Sequence, residues 1–479
     1  MKFLLTVLLT VSVIPLPNSV VERNGSFQLD EKTAVVSTCA EFEQTADDFC
    51  EDISLPTGYD LPRSRRLFGK AVLLKMDRSI VPEGYTLDVR SRKVVIKASD
   101  AAGAFYGLQT LRQLMPAEIY GKVKSETPWK AQCCTIKDAP GVGYRGMLLD
   151  CGRYFYPKEA VLKFIDMMAM HKMNNLQWHL TEDQGWRIEI KKYPELLEKG
   201  AQRVEADGSI HKGYYTQEEV KDVVAYAAAR HITVVPEIDL PGHAEAALNA
   251  YPSLTCSGQA PRVPETGFTD ALFCAGRDSV LLFLYDVLDE VCDLFPSPYI
   301  HLGGDEAPKG QWNRCPACQQ RIADEGLRDS HDLQRWLSAQ MARHLEQRGR
   351  HAIFWEDILY SDGTPLPDGT AVQWWNYRGH RDRGLREAIR QGLPVVASPN
   401  YYCYLNFPEA PWRGYGPDRT FTYADAAQRN PADAALTDHP DALLGMEAAL
   451  WTDYNLTEDL LLPRLLPRLY PLAHQMWAH

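Results

Sequence analysis

Apolar and polar positions follow two different textures along this chain, and the change comes near Pro140. Before it, residues 33–36, 85–89 and 93–97 alternate or run apolar, as strands do. Residues 101–114 carry apolar side chains at helical spacing, with Asp100 placed to cap the helix. This predicts a smaller α+β domain over residues 15–140. After Pro140, strand-like and helix-like stretches alternate. Strands are expected at 145–150, 175–180, 231–236 and 299–304, then at 352–355, 371–375, 393–397 and 443–450. Between them, helices are expected at 157–171, 216–230, 279–295 and 331–348. Pro157 suits a first turn, and Thr216 with Glu219 forms a capping-box pattern. Strands alternating with helices imply parallel pairing. Eight such units predict a (β/α)8 barrel over residues 141–479. The alternative is a doubly wound open sheet, but no glycine-rich phosphate loop follows the first strand.

A barrel of this kind places its chemistry at the C-terminal ends of its strands. Those ends carry Arg153, then Asp183, then His243, then the adjacent acids Asp305 and Glu306. The later ends supply Trp355, Trp374, Tyr404 with Asn406, and Trp451 with Asp453. A pocket walled by Trp and Tyr suits a sugar, whose C–H face lies on indole while Arg and carboxylates bond its hydroxyls. Two carboxylates on opposite faces of the ring are the usual requirement for glycoside cleavage. Sequence neighbours cannot easily straddle a ring. One acid then protonates the leaving oxygen while the other steadies a charged part of the substrate itself.

The 479 residues have a formal net charge of -12, which disfavours nucleic acid and anionic membrane surfaces as partners. No run beyond the N-terminus approaches membrane-spanning length. Residues 1–14, with Lys2 ahead of a short apolar run, resemble a secretory leader and predict export to a secreted or periplasmic location. Eleven cysteines leave at least one thiol outside intramolecular pairs. Cys256 and Cys274 flank a loop rich in Gly and Pro and are the expected disulfide. Cys315-Pro316-Ala317-Cys318 is half a zinc ribbon without a second Cys-x-x-Cys, so a local loop staple or two plain thiols is expected there. His179, His243, His301, Asp183 and Asp239 do not assemble a recognisable catalytic metal motif.

The long motifs Trp178-His179-Leu180-Thr181-Glu182-Asp183-Gln184-Gly185-Trp186-Arg187, Pro236-Glu237-Ile238-Asp239-Leu240-Pro241-Gly242-His243 and His301-Leu302-Gly303-Gly304-Asp305-Glu306 resemble glycoside hydrolase family 20, the β-N-acetylhexosaminidases. Residues 104–111 resemble the helix of that family's N-terminal domain. The resemblance implies retaining, substrate-assisted hydrolysis of terminal N-acetylhexosamine, an exception to the two-carboxylate scheme. It makes Glu306 the acid and then the base, and Asp305 the group that orients the acetamido. Tyr404 would bond the acetamido oxygen, and Trp355, Trp374 and Trp451 would wall the pocket. Arg153 would hold ring hydroxyls, with Asp183 and His243 as a polar pair near the acid. No cofactor is implied. Two positions depart from the family pattern: Asn406 stands in Tyr-x-Asp and Asp453 in Trp-x-Glu, where the outer hydroxyls around C4 and C6 are met. A catalytically silent carbohydrate-binding relative and a metal-dependent hydrolase on the same barrel are the other readings.

Overall fold

The computed structural model describes residues 12–478 except 65–68, 206, 262–269, 378–381, 433–435 and 437. Its N-terminal part is built on seven strands: β1 (Ser19–Gln28), β2 (Ala34–Ser37), β3 (Arg63–Ser64), β4 (Ala71–Met76), β5 (Tyr85–Arg90), β6 (Lys93–Ala98) and β7 (Lys130–Asp138). They form one sheet in the order β1-β7-β5-β6-β4-β2-β3. Period-two burial in β5 and β6 sends Tyr85, Leu87, Val89, Val94, Ile96 and Ala98 to one face. The helix Ala101–Gln113 packs on those two strands. Asp100 caps it, its carboxylate accepting from the Gly103 amide at 2.8 Å. A second helix, Glu43–Thr57, packs on β2. Of the expected leader, residues 1–11 lie outside the described residues. Val13 is buried, and the Ile14 amide donates to Gln113 Oε1 at 2.7 Å.

The barrel strands are β8 (Tyr144–Asp150), β9 (Asn175–His179), β14 (Thr233–Glu237), β15 (Tyr299–His301), β16 (His351–Trp355), β17 (Ala371–Trp374), β18 (Val395–Ala397) and β19 (Leu443–Leu450). Two short hairpins, β10 (Thr181–Glu182) with β11 (Gly185–Trp186) and β12 (Gln202–Val204) with β13 (Ile210–Lys212), fill the connection after β9. All eight barrel strands pair in parallel, and β19 closes the ring on β8, with Gly445 opposite Tyr144 and Leu450 opposite Leu149. Closure removes the open-sheet alternative. The outer helices include Lys158–Met170, Gln217–Ala228, Asp278–Leu294 and Ser330–Gln347. The capping box forms as its spacing predicts, Thr216 accepting from the Glu219 amide and Glu219 from the Thr216 amide. At the C-terminus the last helix is split into Glu458–Leu465 and Leu469–Ala478, because Pro467 between them has no N–H to donate.

The carboxyl groups of Glu237 and Glu447 are fully buried inside the barrel. Glu237 accepts from Gln177 Nε2 at 2.7 Å and Trp355 Nε1 at 2.9 Å, with His179 Nδ1 at 2.7 Å. Glu447 accepts from Tyr144 OH and Gln373 Nε2, both at 2.8 Å, and burial pushes its pKa up to about 8. Where the two domains meet, Asp138 at the end of β7 accepts from Lys172 Nζ at 2.8 Å, Tyr85 OH at 2.6 Å and Trp477 Nε1 at 2.7 Å. The cysteines correct one expectation: Cys256, Cys274, Cys315 and Cys318 are all free thiols, so neither the Cys256–Cys274 disulfide nor a Cys315–Cys318 staple is formed. Among the described residues, no helix is long and apolar enough to cross a membrane.

Candidate active site

The C-terminal strand ends surround a cavity of about 600 Å³. Asp305 and Glu306 enter it from a turn that glycine makes possible. Past β15 the backbone takes φ values of +60° at Gly303, +102° at Gly304 and +48° at Glu306. A Cβ on Gly303 would stand 1.7 Å from Asp239 Oδ1, so only glycine fits there. Three side chains hold the turn. Asp239 Oδ1 accepts from the Gly304 amide at 3.1 Å, Gln334 Nε2 donates to the Gly304 carbonyl at 2.6 Å, and Asp357 Oδ1 accepts from the Glu306 amide at 3.3 Å. The Asp305 side chain ends up 15% exposed and that of Glu306 53% exposed. Asp305 Oδ1 is buried and has no hydrogen-bond partner among the described residues.

His243 links the acids to the first strands. Its Nδ1 lies 3.1 Å from Glu182 Oε1, and its Nε2 lies 3.5 Å from Asp305 Oδ2 and 3.8 Å from Glu306 Oε2. Burial alone would lower its pKa, but the Glu182 and Asp305 carboxylates outweigh it and hold the ring well above the ordinary histidine value. Its two ring nitrogens thus face carboxylates on opposite sides, and the charged ring is favoured between them. Glu182 is buried, which would raise its pKa, yet Arg153 and His243 hold it well below the usual carboxylate range. Arg153 pairs with Glu182 at 2.6 Å, Asp150 at 3.0 Å and Asp453 at 3.3 Å, with its guanidinium carbon 4.9 Å from the centre of the Trp451 ring.

Two expected residues are displaced by their neighbours. Asp183 does not line the cavity. Its Oδ1 accepts from the Glu245 amide at 3.0 Å, at the start of the helix Glu245–Ala250, and burial with the nearby Glu182 pushes its pKa up to about 6. Glu182 is the partner of His243 instead. Trp374 is fully buried outside the cavity, whereas Trp375 lines it. The reason is strand alternation: Gln373 points inward to Glu447, so Trp374 points away and residue 375 returns to the interior. The Trp375 indole donates to Asp357 Oδ2 at 2.9 Å. Burial and the Asp305 charge push Asp357 up to about 7.

The other expected residues do meet. Arg153, His243, Asp305, Glu306, Trp355, Tyr404, Asn406, Trp451 and Asp453 all line the cavity. Trp451 lies 5.8 Å from Trp355 and 6.2 Å from Tyr404 between ring centres, so the three form an aromatic wall. Toward the rim, Asn406 Nδ2 donates to Tyr415 OH at 2.7 Å, and Tyr415 OH donates to Asp453 Oδ2 at 2.5 Å. Tyr415 was not anticipated; it sits in a long connection where no periodic pattern marks it. Asp239 and Asp357 were likewise missed as supports of the turn.

The chain matches two family models, "Glycosyl hydrolase family 20, catalytic domain" over residues 143–479 and "Glycosyl hydrolase family 20, domain 2" over residues 10–139. A beta-hexosaminidase of Porphyromonas gingivalis is 39% identical over 98% of this chain, which spans only 60% of that relative's length. A crystal structure of a beta-N-acetylhexosaminidase from Bacteroides fragilis shares 45% identity with a TM-score of 0.88, covering 97% of this chain and 90% of that one. An exo beta-N-acetylglucosaminidase from Vibrio harveyi, solved in complex with N-acetylglucosamine, shares 29% identity with a TM-score of 0.86, covering 97% and 73%. Matched across both domains, the chain belongs to glycosyl hydrolase family 20.

Proposed function

We propose that this protein is an exo-acting β-N-acetylhexosaminidase, which removes terminal non-reducing N-acetyl-β-D-hexosamine by retaining, substrate-assisted hydrolysis. The observation that carries this reading is the pairing of a half-exposed Glu306 with a neighbouring Asp305 whose Oδ1 is buried without a partner among the described residues. A buried, unpaired carboxylate oxygen costs free energy unless a donor meets it. An acetamido N–H on the sugar is such a donor. The relatives' names and the N-acetylglucosamine complex of the Vibrio harveyi enzyme point the same way.

On this reading Glu306 gives its proton to the glycosidic oxygen as the bond from C1 to that oxygen breaks. The acetamido carbonyl oxygen forms the new bond to C1, closing an oxazolinium ring. Asp305 accepts the acetamido N–H and offsets the positive charge that spreads onto it, an electrostatic contribution made in a largely buried site. Water then attacks C1, Glu306 takes its proton, and the ring reopens to the amide. Two inversions leave the anomeric configuration unchanged. Trp355, Trp375 and Trp451 offer faces for the sugar, and Tyr404 stands beside them. Asn406 and Asp453 at the rim are where C4 and C6 hydroxyls would be read.

The test uses aryl N-acetyl-β-glucosaminide and N-acetyl-β-galactosaminide beside the matching aryl β-glucoside. Chromophore release is expected from at least one N-acetyl substrate, and about a thousandfold less from the glucoside, which has no internal nucleophile. Equal rates on all three would overturn the mechanism; no release from either N-acetyl form would overturn the function. Glu306→Gln is expected to slow a poor leaving group by about 10²–10⁴-fold and an activated aryl leaving group far less. Equal loss on both would remove Glu306 as the acid.

A further inference from the structure

We propose that Cys256, Cys274, Cys315 and Cys318 bind a zinc ion that ties together the two loops carrying His243 and the Asp305–Glu306 pair. The four sulfurs lie within 4.8 Å of one another. Cys274 Sγ is 3.8 Å from Cys315 Sγ and 3.7 Å from Cys318 Sγ, and Cys256 Sγ is 3.8 Å from Cys318 Sγ. A disulfide would bring two sulfurs to about 2.05 Å. Four thiolates at about 2.3 Å from one tetrahedral zinc stand about 3.8 Å apart, which matches the observed spacing. Cysteine also buries as a small hydrophobe, and that alone could gather thiols in a core. It does not explain why four side chains from three separate segments turn their sulfurs to one point.

The surrounding backbone is shaped for that convergence. Cys315 precedes and Cys318 occupies the first turn of the helix Pro316–Asp324, the end of a helix where the macrodipole favours negative charge. The Gly276 amide bonds the Cys274 thiol, and a Cβ on Gly276 would stand 2.2 Å from the Ala317 carbonyl carbon. The two loops are therefore pressed backbone to backbone beside the cluster. Arg277 donates to the carbonyls of Ser253 at 2.9 Å and Cys256 at 3.0 Å, holding the far loop in place. Trp312 Nε1 donates to the Phe273 carbonyl at 2.9 Å, a second tie between the same loops. An all-thiolate tetrahedron selects a soft or borderline ion over magnesium or calcium. The Cys256–Cys274 loop follows His243 and the Cys315–Cys318 turn follows Glu306, so the ion would fix the approach of one to the other.

Elemental analysis of the full chain, purified with zinc and then desalted, is expected to find about one zinc per chain. Zinc-edge X-ray absorption is expected to show four sulfur neighbours at about 2.3 Å. Cys318→Ser is expected to reduce bound zinc at least tenfold and to lower the Tm. Should that variant fail to fold, the wild-type chain still decides the matter: alkylation followed by mass measurement is expected to find these four cysteines as thiols, reactive only after denaturation with a chelator. Zinc below about one-tenth per chain, iron in its place, oxygen or nitrogen neighbours, or a mass showing disulfides among the four would each overturn the assignment.

Discussion

Trp374 and Trp375 stand side by side in the chain and face opposite ways. Trp375 lines the cavity and donates to Asp357, while Trp374 fills space outside it. Trp375→Phe is expected to lower kcat/KM by about 10–100-fold with little change in Tm, through the lost hydrogen bond and lost sugar contact. Trp374→Phe is expected to cost about 1–3 kcal/mol of stability, read as a lower Tm, while KM stays near the wild-type value. Steady-state kinetics and thermal unfolding on both variants check this; a raised KM in Trp374→Phe with none in Trp375→Phe would reverse the assignment. The same one-residue ambiguity separates Glu182 from Asp183. Both are acids at a strand end, and residue type alone does not say which one meets Arg153 and His243.

The turn after β15 is the element on which the site depends. Its glycines are legible as glycines in the sequence, but the reason for Gly303 is a side chain 64 residues away. Gly303→Ala must accept a left-handed backbone, at about 1 kcal/mol, and also move Asp239 out of its place. Because Asp239 holds the Gly304 amide, Asp305 would move with it. The expected outcome is at least a hundredfold fall in kcat/KM with the circular dichroism spectrum of the fold retained. Full activity in that variant would show that Asp239 does not set the turn. Elements with a strong period were readable in advance, as the barrel strands and the capped helices at Ala101–Gln113 and Gln217–Ala228 show. Strand β1 was not, because its residues are mostly exposed and polar. The helix Glu43–Thr57 was not either, since its mixed sequence includes Pro56.

The barrel as a whole carries a cost in buried acid that should appear as a pH dependence. Burial raises Glu447 from 4.5 to about 8, so it is protonated in the folded protein at neutral pH. A group whose folded pKa is raised contributes stability that is fully present below its unfolded value near 4.5. That stability is lost as the pH rises through the folded value near 8. Glu447→Gln mimics the protonated form and cannot ionise. Its Tm is expected to match the wild type near pH 4.5 and to exceed it by pH 9. The difference should correspond to a few kcal/mol, on the scale of roughly 1.4 kcal/mol per pKa unit. Parallel Tm profiles for the two proteins across this range would contradict a raised Glu447.

What the sequence by itself determined was local and periodic. Alternating strands and amphipathic helices specify a barrel, because each element must bury its own apolar face. The strand-end rule then brought Arg153, His243, Asp305, Glu306, Trp355, Tyr404, Asn406, Trp451 and Asp453 to one cavity. What the tertiary structure decided was pairing across space. Glu182 rather than Asp183, and Trp375 rather than Trp374, follow from which way a side chain points, and that depends on register against neighbouring strands. The cysteines show the same limit. A single Cys-x-x-Cys looked incomplete because the other two sulfurs come from the preceding barrel loop, 41 and 62 residues away along the chain. Only the closed barrel brings those loops side by side.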